Sequence, residues 1–289
     1  MNYFIHIVIV FEIYLILALA MNLLAGYSGL LSFAQSAFYG ISAYISAILM
    51  MKFGLHFIIV LPLTIIFNIV LSLPVIYFSI RLRNLYFALA TLSWQIIVFA
   101  ILYNWVSLTN GPFGIAGIPK PEIFGFTFLS LTDFAYLSSV LASAVLLFFI
   151  VFNKTHLVRL LQGLRDDQFV LMSSGKKPAY YKILAVVIAT GITSISGVIF
   201  AAYYTFIDPT SFTIHESILI ISIVLIGGLG SVKGSAAGAL FYVLLPEALR
   251  FLNIPDQIAA NLRMMIYALI LILIVTYRPH GFFGKYRFE

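Results

Sequence analysis

Apolar runs, each about as long as a bilayer is thick, divide this chain into segments. A spanning helix needs roughly 20 mostly apolar residues. Residues 3–24 form one such run, 30–51 a second that is rich in Ser, Ala and Gly, 55–79 a third, and 85–103 a fourth. A polar loop with Gly and Pro follows near 104–133, then a fifth span at about 134–152. The only long charged stretch, 154–182, precedes a sixth span at 183–205, a short segment at 217–229, and two more at 234–251 and 262–277. The pattern predicts an all-α polytopic membrane helix bundle with about eight to nine transmembrane or re-entrant segments, a single domain over 1–289.

Composition supports lipid as the main solvent. Charged residues make up 9% and hydrophobic residues 63% of the 289, whereas a soluble domain carries about 25% charged residues. Mean hydropathy is +1.10. The opening MNYFIHIVIVFEIY has no basic leader and no small-residue cleavage site, so it reads as a retained first span. The net charge of +6 does not point to nucleic acid, because the bases gather in short loops as membrane orientation requires. The 154–182 stretch holds Lys154, Arg159, Arg165, Lys176, Lys177 and Lys182; the tail holds Arg278, Lys285 and Arg287; the turn after the third span holds Arg81 and Arg83. The 104–133 loop has only Lys120 as a base. If every segment crosses once, the N-terminus lies outside, the C-terminus is cytoplasmic and the three basic regions share one side. Re-entry of 30–51 or 215–231 without crossing is the competing arrangement and would change that parity.

Two glycine-rich breaks interrupt the pattern, Gly26-Tyr27-Ser28-Gly29 and Gly227-Gly228-Leu229-Gly230-Ser231. Each precedes a small-residue helix with an aromatic pair, Phe38-Tyr39 or Phe241-Tyr242. Broken helices in corresponding positions of two halves point to a transport pathway. Irregular backbone at membrane depth persists only where protein buries it or it lines a cavity. Gly26, Ser28, Gly29, Gly227, Gly228 and Gly230 are therefore candidate pathway residues. In 30–51, Ser32, Gln35, Ser36, Ser42 and Ser46 either let helices pack closely or face the path, with Gln35 the foremost candidate. Glu12 is the one acid deep in a predicted span. It either serves a pathway or subunit interface or is held by a neighbouring helix near the outer headgroups.

Enzyme chemistry finds no footing. The chain contains no P-loop, no H-E-x-x-H and no G-x-S-x-G. It has no cysteine, and its histidines, at 6, 56, 156, 215 and 280, lack metal-ligand spacing. No catalytic residue, metal or cofactor is expected. Glu247 and Arg250 read as a local i,i+3 pair. Asp208-Pro209 opens a loop running through His215 and Glu216, which either meets a soluble partner or caps the next helix, Thr213 and Glu216 having capping-box spacing. The 154–182 stretch alternates charge with Leu157, Leu160, Leu161, Leu164, Phe169, Val170, Leu171 and Met172. That predicts an amphipathic helix outside the bilayer, ended by Gly175 and Pro178. It rests either on anionic lipid headgroups or in a groove on a soluble partner. A lone secondary transporter would need several intramembrane ionisable groups for ion coupling, and Glu12 alone argues against it. An accessory subunit without a pathway is a further alternative.

These residues resemble a known family. NLLAGYSG at 22–29 with the LSFAQSAFYGISAY that follows, RNLYFALAT at 83–91, TNGPFGI at 109–115, and RLLQGLRDDQFVLMSSGKKPAYYKIL at 159–184 are similar in order to high-affinity branched-chain amino acid ABC permeases of the LivM type. DPTSF at 208–212, GGLGS at 227–231, LPE at 245–247 and RPHGFFG at 278–284 complete the set over almost the whole chain. The chain departs from the family pattern at Gln35, where histidine is common, at Gln168, where an acid is usual, and at Val170 and Leu171, where alanines are usual. The resemblance implies a second, unlike permease chain, two ATP-binding ABC subunits and an extracytoplasmic solute-binding protein, in a cell membrane (the inner membrane of a Gram-negative cell). It implies that the helix carrying Arg165, Asp166, Asp167, Gln168 and Gly175 seats in an ATPase groove. The solutes it implies are leucine, isoleucine and valine; related permeases carry urea, other small amides or amino acids.

Overall fold

The computed structural model describes residues 2–82, 84–123, 125–250, 256–277 and 280–284. Nine segments follow one another among the described residues, in the order the apolar runs predict. They are α1 (Asn2–Asn22), α2 (Gln35–Phe53), the pair α3 (Phe57–Leu71) and α4 (Leu73–Arg81), α5 (Asn84–Asn104), α7 (Leu131–Phe152), α10 (Pro178–Tyr204), α11 (Ile214–Gly227), α12 (Val232–Arg250) and α13 (Asp256–Tyr277). A short α6 (Val106–Thr109) and two-residue strands β1 (Ile115–Ala116), β2 (Glu122–Ile123) and β3 (Phe126–Thr127) fold the loop before α7; α8 (His156–Asp166) and α9 (Gln168–Ser173) fold the charged stretch. Among the described residues, five helices are long and apolar enough to cross a bilayer, or six with α3 and α4 counted as one bent span.

Burial sorts these helices into layers. The apolar windows of α1, α2 and α10 are more than half buried, those of α5 and α7 only a third. Small residues explain the first group: α2 and α10 carry Ser42 and Gly197 at their contact, where a Cβ on Gly197 would lie 1.9 Å from Ser42 Oγ. Without a hydrophobic drive between helices in lipid, such close approach supplies the packing. Leu89, Ile96 and Ile101 on α5 and Val140, Leu147 and Val151 on α7 point outward instead, as a lipid face demands. α1 packs against α7, α10, α11 and α12, and α10 against α2, α3 and α4, so these two helices organise the bundle.

Three local outcomes differ from the sequence reading, each for a physical reason. The third span bends by 42° between α3 and α4, where Pro74 stands at the start of α4; proline suits a first helical turn and denies its N–H to the preceding one. The amphipathic stretch forms two helices, not one. Asp167 takes an extended conformation and its carboxylate accepts from Phe169 N, capping α9, which competes with helix continuation. Pro178 opens α10 instead of closing the preceding helix. The turn and tail bases Arg83, Arg278, Lys285 and Arg287 lie outside the described residues, as does the Arg250 side chain expected to pair with Glu247. Glu247 accepts a hydrogen bond from the Tyr3 hydroxyl.

The segment between α10 and α11 is also more than a surface loop. Strand β4 (Phe206–Ile207) pairs antiparallel with β1, and the chain then turns inward through a 3₁₀ turn at Pro209–Phe212. Phe212 is 1% exposed. Its ring stands edge-on to Tyr39 and Tyr44 of α2 and Phe200 of α10, over Gly40, where any Cβ would come within 2.8 Å of it. α11 has 14 residues, about 21 Å of rise against about 30 Å of hydrocarbon, and this non-helical plug leads into it. Phe212→Ala removes that ring and is expected to cost about 3–5 kcal/mol, read as a lowered unfolding temperature of the purified protein.

Candidate functional site

At the β1–β4 end of the bundle, α1, α2, α10 and the plug enclose a cavity of about 450 Å³, within the roughly 300–1,000 Å³ of small-molecule sites. Tyr14, Tyr39, Phe200, Tyr204 and Phe206 supply its aromatic walls, and Asp208, Ser211 and Glu216 its polar groups. Asp208 accepts from the hydroxyls of Thr210 and Ser211. Glu216 does not cap α11: Thr213 makes no side-chain capping bond. Its carboxylate lies instead beside the Tyr14 hydroxyl, with Oε1 buried and unpartnered. Among the described residues, two carboxylates and no base line this cavity.

At the opposite end the two glycine breaks touch. α1 passes through a π-helical turn, Leu23–Tyr27, a feature that often marks functional sites. Asn22, 1% exposed, pins this turn to the second break: its Nδ2 donates to Ser231 O at 2.9 Å and Ser235 Oγ at 2.7 Å, and its Oδ1 accepts from Gly230 N at 2.8 Å. Gly26 lies so close that a Cβ would fall 2.0 Å from Asn22 Oδ1 and 2.4 Å from Gly230 N. The chain end clasps the second break from the other side, with Phe282 N donating to Ile226 O at 3.0 Å and Phe283 N to Gly227 O at 2.9 Å. Gly228, at φ +114, would place a Cβ 2.1 Å from Gly284 N.

The charged stretch reaches the same point. Arg165, in the last turn of α8, donates through Nη1 to Gly26 O at 2.7 Å and through Nε and Nη2 to Asp166 Oδ1 at 2.9 and 2.6 Å. Gly29 takes φ +69 beneath it, with Arg165 Cγ where a Cβ would sit at 2.7 Å. Val158, Leu161 and Leu164 bury the inner face of α8, and Leu171 that of α9, while Phe169, Val170 and Met172 remain 54–65% exposed. Exposed apolar surface of this kind marks a protein or membrane contact.

Two helices connect these ends. Tyr14 lies twelve residues before Gly26 on the first strand of this framework, and Glu216 twelve before Gly228 on the second, each about 18 Å of helical rise. α1 and α11 therefore act as parallel struts, each with one end at a break and the other in the cavity wall.

The candidate residues divide accordingly. Gly26, Gly29, Gly227, Gly228 and Gly230 meet at the break end. Ser28 donates to Leu24 O at 2.7 Å within the π turn, and Ser32 accepts from Ala34 N at 3.3 Å within its own turn. Gln35 donates to Thr193 Oγ1 on α10, and Ser42 and Ser46 bond back to their own helix; none of these lines the cavity. Glu12 accepts from Ser139 on α7, also away from it. Asp166, Asp167 and Gln168 rim a cleft with Ser28, Gly29 and Arg165, whereas Gly175 ends the stretch with nothing within 4 Å of a Cβ position. Sequence reasoning missed Asn22 as a pin and Glu216 as a cavity group. A lone amide in an apolar run was the available signal for the first.

The sequence matches the family profile described as "Branched-chain amino acid transport system / permease component" over residues 3–275. It is 32% identical over 294 residues to the high-affinity branched-chain amino acid transport system permease protein LivM of Salmonella typhimurium, covering 93% of this chain and 67% of that one. The protein of the same name from Escherichia coli is 32% identical over 298 residues with the same coverage. The probable branched-chain amino acid transport permease protein LivM of Methanocaldococcus jannaschii is 25% identical over 315 residues, 94% of this chain and 90% of that one. No solved structure matches the chain. With the profile matched over nearly its whole length and relatives at 32% identity over 93% of it, this multi-pass membrane protein belongs to the permease component family of branched-chain amino acid transport systems.

Proposed function

We propose that the chain is a transmembrane subunit of an ATP-driven importer for leucine, isoleucine and valine. A solute-binding protein delivers the solute at the cavity end, ATP-binding subunits engage α8 and α9 at the other end, and a second, unlike permease chain completes the pathway. The N-terminus and the cavity lie outside, and the C-terminus and the basic loops are cytoplasmic, as the Lys/Arg bias favours. The observation that carries this reading is the Arg165–Gly26 hydrogen bond. It joins a segment with an exposed apolar face to the paired breaks, and the breaks to both struts. Closure of the ATPase dimer pushes α8 and α9, Arg165 moves the break pair, and α1 and α11 carry that motion to Tyr14 and Glu216. The chain does no covalent chemistry; it acts through different solute affinity in its two states.

Reconstitution of the complex tests this. Labelled leucine is expected to accumulate in proteoliposomes only with ATP and the solute-binding protein. Uptake of urea in place of leucine would keep the mechanism and change the solute. Uptake by this chain alone, without ATPase or binding protein, would sink the importer reading.

A further inference from the structure

We infer that the cavity is an ammonium site, in which Glu216 and the Tyr14, Tyr39 and Tyr204 rings hold the protonated amine of the solute. The inference rests on the importer reading and names what the pathway selects. Glu216 Oε1 is buried without a partner, and a buried acceptor left unpaired is costly, more so when charged. Its other contact, the Tyr14 hydroxyl, is neutral and supplies no countercharge. Asp208, the second acid, is occupied by the Thr210 and Ser211 hydroxyls, and among the described residues no Lys, Arg or His lines the cavity. The site thus presents two carboxyl groups, an acceptor without a partner and three phenol rings. A ring face attracts a cation within about 6 Å, more strongly where water is excluded. An –NH₃⁺ group satisfies all three features at once. Urea or a primary amide could donate to Oε1 but would leave the charge unbalanced, and a carboxylate-only solute would be repelled.

The position of Glu216 gives the site a second property. It stands in the first turn of α11, the strut that ends at the second break, so a shift of that break moves the carboxylate relative to Tyr39 and Tyr204 on α2 and α10. The amine is therefore held in the state that aligns these groups and released in the one that separates them.

The test uses the whole reconstituted complex carrying Glu216→Gln or Glu216→Asp. ATP-dependent leucine uptake is expected to fall about thirtyfold in Glu216→Gln, the loss for a buried charge pair of about 2 kcal/mol at 1.4 kcal/mol per tenfold. Glu216→Asp should recover part of it. Stimulation of ATP hydrolysis by the loaded binding protein should persist in both variants, because the breaks and Arg165 are untouched. Wild-type uptake unchanged in Glu216→Gln overturns the ammonium site and leaves the importer standing. Loss of ATPase stimulation together with uptake assigns Glu216 a structural role and also overturns it. Absence of ATP-dependent leucine uptake in the wild-type complex removes the importer reading, and the ammonium site with it.

Discussion

Asn22→Leu is expected to destabilise the protein by about 2–5 kcal/mol and to abolish transport. Leucine is close to asparagine in size but can replace none of its bonds. The substitution leaves Gly230 N without the partner it has at 2.8 Å and removes the Nδ2 bonds to Ser235 Oγ and to Ser231 O, which keeps its bond from Ser235 N, in a region where Asn22 is 1% exposed. Each buried group left unpaired costs about 1–3 kcal/mol. Hydrogen bonds between membrane helices average only about 0.6 kcal/mol because the unfolded state finds other partners, which sets the lower end of the range. The larger consequence is geometric. With the pin gone, Gly26 and Gly230 are no longer obliged to move together, and the two struts lose their shared end. Thermal unfolding of the detergent-purified protein reads the stability loss, and leucine uptake reads the functional one. Unfolding and uptake both at wild-type values would show that the two breaks are merely adjacent.

Arg165→Ala is expected to separate hydrolysis from transport. Arg165 is the last side chain of α8 to touch the bundle, through Nη1 to Gly26 O, and its side chain is 14% exposed. The apolar residues available to a partner, Phe169, Val170 and Met172, stay in place, so ATPase subunits should still assemble and hydrolyse ATP. Uptake should fall about tenfold or more, the effect of losing one charge-assisted hydrogen bond of about 1.5–3 kcal/mol. Arg165→Lys should restore little of it. A lysine ammonium is a compact point charge and cannot hold Asp166 and a backbone carbonyl together in the planar fork that guanidinium provides. Hydrolysis and uptake falling in equal proportion would place Arg165 in assembly rather than coupling.

Much of the fold was legible in the sequence because lipid leaves few choices. Nine apolar runs, the short one at 217–229 among them, and the basic stretch 154–182 all correspond to elements of the bundle. The amphipathic character of 154–182 was equally plain, but its division at Asp167 was not, since a carboxylate that accepts from the N–H two residues later is locally indistinguishable from a charged position on a helix face. The two breaks were visible as glycine clusters. Their meeting was not, because Asn22 and Gly230 are 208 residues apart and one sequence carries no record of which distant segments touch. The cavity was hidden for a related reason. Asp208, Pro209, Thr210 and Ser211 have the composition of a surface turn, and only the burial of Phe212 against Gly40 shows that this turn enters the bundle. Glu216 three residues after Thr213 fits a capping box on spacing alone, and tertiary contact with Tyr14 decides otherwise. Gln35 stood out as polar within an apolar span, yet its amide serves the α2–α10 contact through Thr193.

The most direct measurement is a distance across the molecule. The chain has no cysteine, so Ser173→Cys at the end of α9 and Thr210→Cys beside the cavity residues Asp208 and Ser211, both exposed positions, can each carry a spin label in the reconstituted complex. The tether between α8 and the paired breaks predicts that trapping the ATP-bound state shifts the label-to-label distance, and that Arg165→Ala abolishes the shift while ATP hydrolysis continues. The same shift with and without Arg165 would contradict it, and the motion would have to reach the cavity by another route.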